Sequence, residues 1–356
     1  MVKTPLISVV VITSRNDYPF GRGSGLHCLE PVARTLATQT FHDFELVVVD
    51  SHYEARSEWF KDNPQPYPVK HVSASPNHWH QLGRSGACAQ INRGMVWADG
   101  ELVWIGCENN LYPTWFLELA WSIHASGLLP AAWYVKCSRE PNPEAKPSPM
   151  RFSLLGYTDE NVFDLDHRAN VFLDKSAPAI QPIPHLHFFN HAGIPRELCL
   201  ELNGYDEAFD GDLALSDCDV GSRLDLLGYG SRMRMHRDLF VAKNGGGQDY
   251  KGHLGIKCNY ALYLFNREMK RVRVNGPIND AQIQFVRDTC CGKVCSIRER
   301  CRSDPAAGEH LFYPFCGDGK SELYQHWLKR PVGFDLRTEV EKRKHGVPPY
   351  DHATVT

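Results

Sequence analysis

The chain has 356 residues, room for one large domain or for one domain with a smaller appendage. At 42% hydrophobic and 23% charged residues it is neither wholly disordered nor fibrous, and its net charge of −3 gives no bulk attraction to nucleic acid or anionic lipid. The longest N-terminal apolar run, LISVVVI, is too short to cross a bilayer and lacks signal-peptide flanks, which sets the expectation of a soluble, cytoplasmic protein.

In chain order, LISVVVIT and FELVVVD are β-branched runs of strand length without polar alternation, as expected of strands covered on both faces of a parallel sheet. Between them LEPVARTLATQT carries Leu29, Val32 and Leu36 at helical spacing, completing a β-α-β unit. PVKHVSA reads as a third strand, GACAQINRGMVWA as a helix, ELVWIG as a fourth strand, and PTWFLELAWSIHAS as a helix with Pro113 in its first turn. This alternation predicts a doubly wound α/β fold that takes ligands at the carboxyl ends of its strands. The proline-rich REPNPEAKPSPM reads as a surface loop, and residues 151–195 are poorly patterned, as excursions around a cleft would be. The glycines of NGGGQDYKG predict a mobile loop, followed by a helix over NYALYLFNREMKR, a cysteine cluster and a polar tail.

The densest chemistry lies in LNGYDEAFDGDLALSDCDVGSRLDLLGYG, Leu202 to Gly230, which holds Asp206, Glu207, Asp210, Asp212, Asp217, Asp219 and Asp225. One reading is a solvated acidic helix face, with Arg223 the i, i+4 partner of Asp219. The order of several dispersed motifs supplies another. ISVVVITSRND, ATQTFHDFELVVVDSH, GACAQINRGMVWADGELVWIGCENN, HAGIPRELCLELNGYDEAF and SDCDVGSRLDLLGYG together resemble the family 2 glycosyltransferases of GT-A fold, over roughly residues 6–245.

The resemblance implies an α/β GT-A fold and transfer of a sugar, with inversion, from a nucleotide donor such as a UDP-sugar to a hydroxyl-bearing acceptor: a glycan, a protein or a modified base in nucleic acid. It places Asp217 where inverting members carry the general base, at a helix start whose dipole favours an ionised carboxylate. Asp206, Glu207 and Asp219 fall on the acceptor side. Asp50 would accept from the nucleotide base, beside the turn from Thr13 to Asn16, although capping of its own turn is the other reading. Arg84 and Asn92 are candidates for phosphate or sugar contacts or for plain helix-surface residues.

Departures from the family pattern concern the metal. In place of Asp-x-Asp after the fourth strand stand Cys107, Glu108, Asn109 and Asn110, so a Mn²⁺ or Mg²⁺ held by Glu108 and Asn110 would meet one formal charge instead of two. His236 is the candidate third ligand, though earlier in the chain than the family's histidine. Lys243 could instead neutralise the diphosphate directly, or be a solvated lysine.

Five of the twelve cysteines, Cys290, Cys291, Cys295, Cys301 and Cys316, cluster late in the chain. A structural Zn²⁺, two disulfides and free thiols are the readings open for them. The basic residues among them suit an acceptor-binding element or a solvated face. The expected organisation is a GT-A domain over 1–245 and a helical, Cys-rich C-terminal appendage over 246–356. Two rival functions are a binding module with this fold but no turnover, and a nucleotidyltransferase, for which FGRGSG is the only phosphate-loop candidate.

Overall fold

The computed structural model describes residues 4–13, 29–74, 86–137, 153–154, 157–158, 162–165, 171–172, 176–188, 191–210, 215–244, 256–276, 280–281, 284–285 and 333–347. Strands β1 (Ile7–Thr13), β2 (Phe44–Asp50), β3 (Val69–Ser73) and β4 (Leu102–Cys107) form a parallel sheet in the order β3-β2-β1-β4. Alternate residues of β1 feed opposite faces: Val10 packs with Val47 and Ile91 on one side, while Val9 and Val11 pack with Leu29, Val32 and Phe116 on the other. Both faces are therefore covered, which is why β1 and β2 show no polar alternation.

The covering helices are those the spacing predicts. Helix α1 (Leu29–Ala37) buries Leu29, Val32 and Leu36. After two single turns, α2 (Tyr53–Arg56) and α3 (Trp59–Asp62), comes α4 (Ala87–Trp97), which buries Cys88, Ile91 and Met95. Gly94 lets α4 lie directly on the sheet, since a Cβ there would run into Val10. Helix α5 (Phe116–Ala125) closes the other face with Phe116, Leu117, Ala120 and Ile123.

A second sheet has the order β10-β12-β6-β9, built from β6 (Leu129–Cys137), β9 (Val162–Leu165), β10 (Ile180–Pro182) and β12 (Met233–Asn244), with β5 (Asn110–Leu111) pairing to β12. β7 (Ser153–Leu154) and β8 (Tyr157–Thr158) form a small hairpin pair. β11 (Gly193–Pro195) runs antiparallel beside β4, and a bridge between Ala131 and Ala192 joins the two sheets. Several short strands thus occupy the poorly patterned 151–195 stretch. At two to four residues each, they are too short to leave a periodic signal.

Helix α6 (Arg196–Leu202) ends in two left-handed residues, Asn203 and Gly204, and α7 (Ser216–Leu226) carries the acidic motif. The described part of the expected appendage is not set apart from this body. In α8 (Ile256–Glu268) Leu262 and Tyr263, and around α9 (Leu336–Lys344) Phe334, Leu336 and Val340, belong to the same buried cluster as Val10 and Val47. The cysteine cluster 290–316 lies outside the described residues. The architecture is mixed α/β with a mostly parallel first sheet. No described helix is long and apolar enough to cross a membrane.

Candidate functional site

The carboxyl ends of the parallel strands lie in one row, where Thr13 pairs with Asp50, Asp50 with Ser73, and Ile12 with Cys107. An α/β sheet opens its ligand crevice at this edge. Asp50 is wholly buried there. Its Oδ1 accepts from the His52 amide at 2.8 Å, which makes the turn cap, and faces Arg56 at 3.6 Å. Its Oδ2 lies 3.0 Å from His71 Nε2, and Arg56 also reaches Thr13 Oγ1 at 3.3 Å. Thr13, Asp50, Arg56 and His71 are one buried polar group at the end of β1, β2 and β3.

The second sheet brings Asn110 and Lys243 side by side, because β5 and β12 pair in that register. Lys243 is half-buried, with its ammonium 4.2 Å from the centre of the Tyr134 ring. Asn110 is fully buried. Its Nδ2 lies 3.2 Å from His191 Nδ1, and its Oδ1 accepts from the Cys107 thiol at 3.3 Å. The His191 ring meets Tyr134 edge-on at 6.2 Å. Glu108 is half-buried at the same corner. His191 and Tyr134 carry no signal of their own; the pairings of β12 with β5 and β6 bring Tyr134 near Asn110, and the bond from the Ala132 amide to the His191 carbonyl brings His191.

The putting of His236 with this group is corrected by strand geometry. It lies seven residues before Lys243 on β12, paired with Ile180; in the register with β6, Met235 faces Ala131 and Lys243 faces Lys136, so at about 3.3 Å per strand position His236 is roughly 15 Å away. It cannot share an ion with Glu108 and Asn110. Among the described residues no group of three or more His, Cys, Asp or Glu side chains could hold a metal. Glu108 and Asn110 bring one formal charge to this corner, and the Asn110 oxygen also accepts from the Cys107 thiol, a poorer donor set for a divalent cation than two carboxylates.

The acidic segment divides sharply by burial. Asp219 and Arg223 pair at 2.6 Å as the spacing predicts, but each side chain is only 1% exposed, so they form an interior pair and not a solvated face. Arg223 also donates to the carbonyls of Leu202, Gly204 and Val272. Burial lifts the Asp219 carboxyl above its ordinary range, and the Arg223 charge works against that rise. Asp206 caps the short turn that follows it by accepting from the Ala208 amide, and Glu207 accepts from Asn92 Nδ2 at 2.8 Å. Asn92, read as a phosphate or sugar contact or as a helix-surface residue, is fully buried on α4. Its amide spans from Glu207 to both the carbonyl and the N–H of Tyr205. The structure therefore places Asn92, Asp206, Glu207 and Asp219 in the interior, holding the 203–210 turn against α4 and α7.

Asp210 is one of three acids, with Asp212 and Asp225, that sequence reasoning left without a role. Its two oxygens accept from the Cys88 and Ala89 amides at 2.8 and 3.0 Å, capping the N-terminus of α4 from 122 residues away. Burial and the nearby Glu207 charge raise its carboxyl to about 8 against those two donors.

Asp217 differs from these four neighbours. It stands half-buried in the first turn of the eleven-residue α7, at the positive end of the helix. The residue before that helix, Leu215, holds a left-handed conformation (φ 71°), a costly one for a branched side chain. Such outliers persist where surrounding contacts fix them. Through Ser216 and Asp210, both of which hydrogen-bond the Cys88 side chain, this turn sits against the start of α4. Gln90 on α4 in turn reaches Ser51 at 2.5 Å, beside Asp50. Asn16 and Arg84 lie outside the described residues.

No protein-family model matches the chain, and no curated protein matches it. Among solved structures it is similar to S. aureus TarS 1–349 in complex with UDP, at 12% identity and a TM-score of 0.46 over 96% of this chain and 91% of that one. The complex of TarS 1–349 with UDP-GlcNAc gives 12% identity and 0.44 over 96% and 92%. Against the longer TarS structure the values are 13% and 0.42, and the match spans 86% of this chain and half of that chain's length.

Proposed function

We propose that the chain is a glycosyltransferase that moves a sugar from a nucleotide donor to a hydroxyl acceptor with inversion, Asp217 being the general base. The observation that carries this reading is the contrast within one acidic segment. Asp206, Glu207, Asp210 and Asp219 are buried, whereas Asp217, whose Oδ1 accepts from the Cys218 amide at 2.9 Å, stands half-buried at a helix N-terminus.

In the proposed reaction the Asp217 carboxylate takes the proton of the acceptor hydroxyl as that oxygen attacks the anomeric carbon from the face opposite the leaving group. The bond to the nucleoside diphosphate breaks with its electron pair, and the developing charge is met by the Lys243 ammonium beside Asn110. Thr13 and Asp50 mark the base end of the donor, with Arg56 and His71 holding the Asp50 carboxylate in place. Glu108 and Asn110 face the sugar and diphosphate end. A cation fixed by the fold answers the diphosphate without a metal ion.

The test uses UDP-GlcNAc, the ligand of one TarS complex, within a panel of nucleotide sugars, with UDP release as the readout. Asp217→Asn is expected to cut turnover by a factor of about 100 or more with donor affinity within twofold, since removing a base acts on the transition state. Equal losses in both quantities would make Asp217 a structural carboxylate. Turnover is expected to survive exhaustive chelation and to collapse in Lys243→Ala; loss on chelation that Mn²⁺ restores would return the diphosphate to a metal. Binding without release across the panel would favour a binding module.

A further inference from the structure

Asn266, on α8, is 1% exposed and aims its amide between two carboxylates that belong to different parts of the acidic segment. Its Nδ2 donates to Asp206 Oδ2 at 3.0 Å and to Asp219 Oδ1 at 2.9 Å. The two amide hydrogens suffice for one bond to each. Its Oδ1 accepts from Arg271 Nη1 at 2.8 Å, which orients the amide. Asp206 and Asp219 are each 1% exposed, and among the described residues the ion pair made to them is that of Arg223 with Asp219. Without the amide, two buried carboxylates would face one another across an empty position, each wanting a donor.

Where this lattice sits gives it a consequence. Asp219 is two residues after Asp217, in the first turn of α7, and Asp206 begins the short turn that leads towards it. The start of α7 has no capping side chain on its own N-cap residue, Leu215, and that residue holds the left-handed conformation already described. The first turn is therefore held by its neighbours: Ser216 lies against Cys88, Cys218 Sγ reaches the Leu186 carbonyl at 3.1 Å, and Asp219 is bound from α8. A second pair of contacts on the same side, Asn275 to the carbonyls of Asn203 and Tyr205, fixes the preceding turn.

We infer that Asn266 is a positioning residue for the site: by bridging Asp206 and Asp219 it fixes the first turn of α7 and so the place of Asp217. Its effect on turnover rests on the base assignment proposed above, while its effect on the helix does not.

The experiment compares the unaltered full chain with Asn266→Ala and, as a control of similar burial, Asn203→Ala. Asn203 joins the same C-terminal segment elsewhere, through Val274, Phe334 and Leu336. Hydrogen exchange of the backbone amides and UDP release from UDP-GlcNAc are read on all three. For N266A, exchange over residues 216–220 is expected to rise about tenfold or more while β1 and β2 keep their protection, because the loss is local. Turnover is expected to fall at least tenfold with KM within twofold. N203A should lower the melting temperature without singling out residues 216–220. If N266A does not fold, Asn266→Ser, which keeps one donor, is read in the same way. Exchange at 216–220 that rises no more than in the sheet overturns the inference. Should D217N turn over like the unaltered chain, the base reading fails by itself, and the exchange result still decides whether Asn266 holds this turn.

Discussion

A carboxylate's environment, more than its place in a motif, sets what it can do here. Asp210 and Asp217 lie seven residues apart, yet one is sealed against two helix amides and the other stands half-buried at a helix start. Asp210 has its carboxyl raised to about 8, far above the roughly 3.9 of an unfolded aspartate. A pKa raised in the folded state contributes stability that is fully present below the unfolded value and is lost as pH rises through the folded one. The unaltered protein is therefore expected to lose melting temperature progressively between about pH 4 and pH 8 through this group. Asp210→Asn keeps one acceptor for the α4 amides and gives up the other, at a cost of about 1–3 kcal/mol. In exchange it removes the ionisation, so its melting temperature should vary less over that range. Parallel pH curves for the two proteins would show that Asp210 stays ionised under its two N–H donors throughout.

At the scale of elements, polar contacts between distant segments fix where the helices sit. Gly204 illustrates the tolerance: its φ of 72° follows the left-handed Asn203, and a Cβ there would collide with Asn92 Oδ1, the atom that accepts from the Tyr205 amide. The end of α6 and the middle of α4 are thus built around the absence of a side chain. Helix α9, which also packs on α4, is fastened to the loop before β4 and to the end of α6. Arg343 donates to Asp99 and to the Trp97 carbonyl, Lys70 bonds Asp99 and Glu45 at 2.6 Å each, and Leu336 donates its amide to Asn203. Burial opposes the Asp99 charge, but Arg343 and Lys70 outweigh it and hold the carboxyl at about 2. A depressed pKa gives stability that is present above the unfolded value and lost as pH falls through the folded one, here from about 4 down to about 2. Asp99 is partly exposed, so solvent screening keeps the effect small. The expectation is that α9 amides lose exchange protection before those of β1 as pH is lowered into that window, and that Arg343→Ala shows the same early loss already at neutral pH. Simultaneous loss in α9 and β1 would mean that the apolar contacts of Leu336 and Val340 alone hold the helix.

For the whole molecule, sequence periodicity was a good guide wherever burial is two-sided or helical. β1, β2, β4 and helices α1, α4 and α5 all follow their apolar spacing, because the strands are covered on both faces and each helix buries one face in the cores around them. Pairing is what periodicity cannot carry. Nothing local says that Asp210 caps a helix begun at residue 87, that Asn110 neighbours Lys243, or that Asn266 joins Asp206 to Asp219. Acidic residues that look solvated in a string of letters are interior once their partners arrive from elsewhere in the chain. The same limit applies to the expected boundary at 245: the helix periodicity of NYALYLFNREMKR reads identically whether its apolar face covers an appendage or completes the main body. In the structure Leu262, Tyr263, Phe265, Phe334, Leu336 and Val340 are each at most 5% exposed, and five of them join the core that includes Val10 and Val47. At about 1.5–3 kcal/mol per buried side chain, six of them match or exceed the roughly 5–15 kcal/mol that a whole domain retains. Cutting the chain at 245 would also strip Asp206 and Asp219 of Asn266 and leave the Arg223 guanidinium without the Val272 carbonyl. A 1–245 fragment is therefore expected to lack a cooperative thermal transition and to expose apolar surface to a hydrophobic dye, whereas the full chain unfolds as one unit. A fragment that melts cooperatively near the temperature of the full chain would make residues 246–356 a dispensable addition to an independent domain.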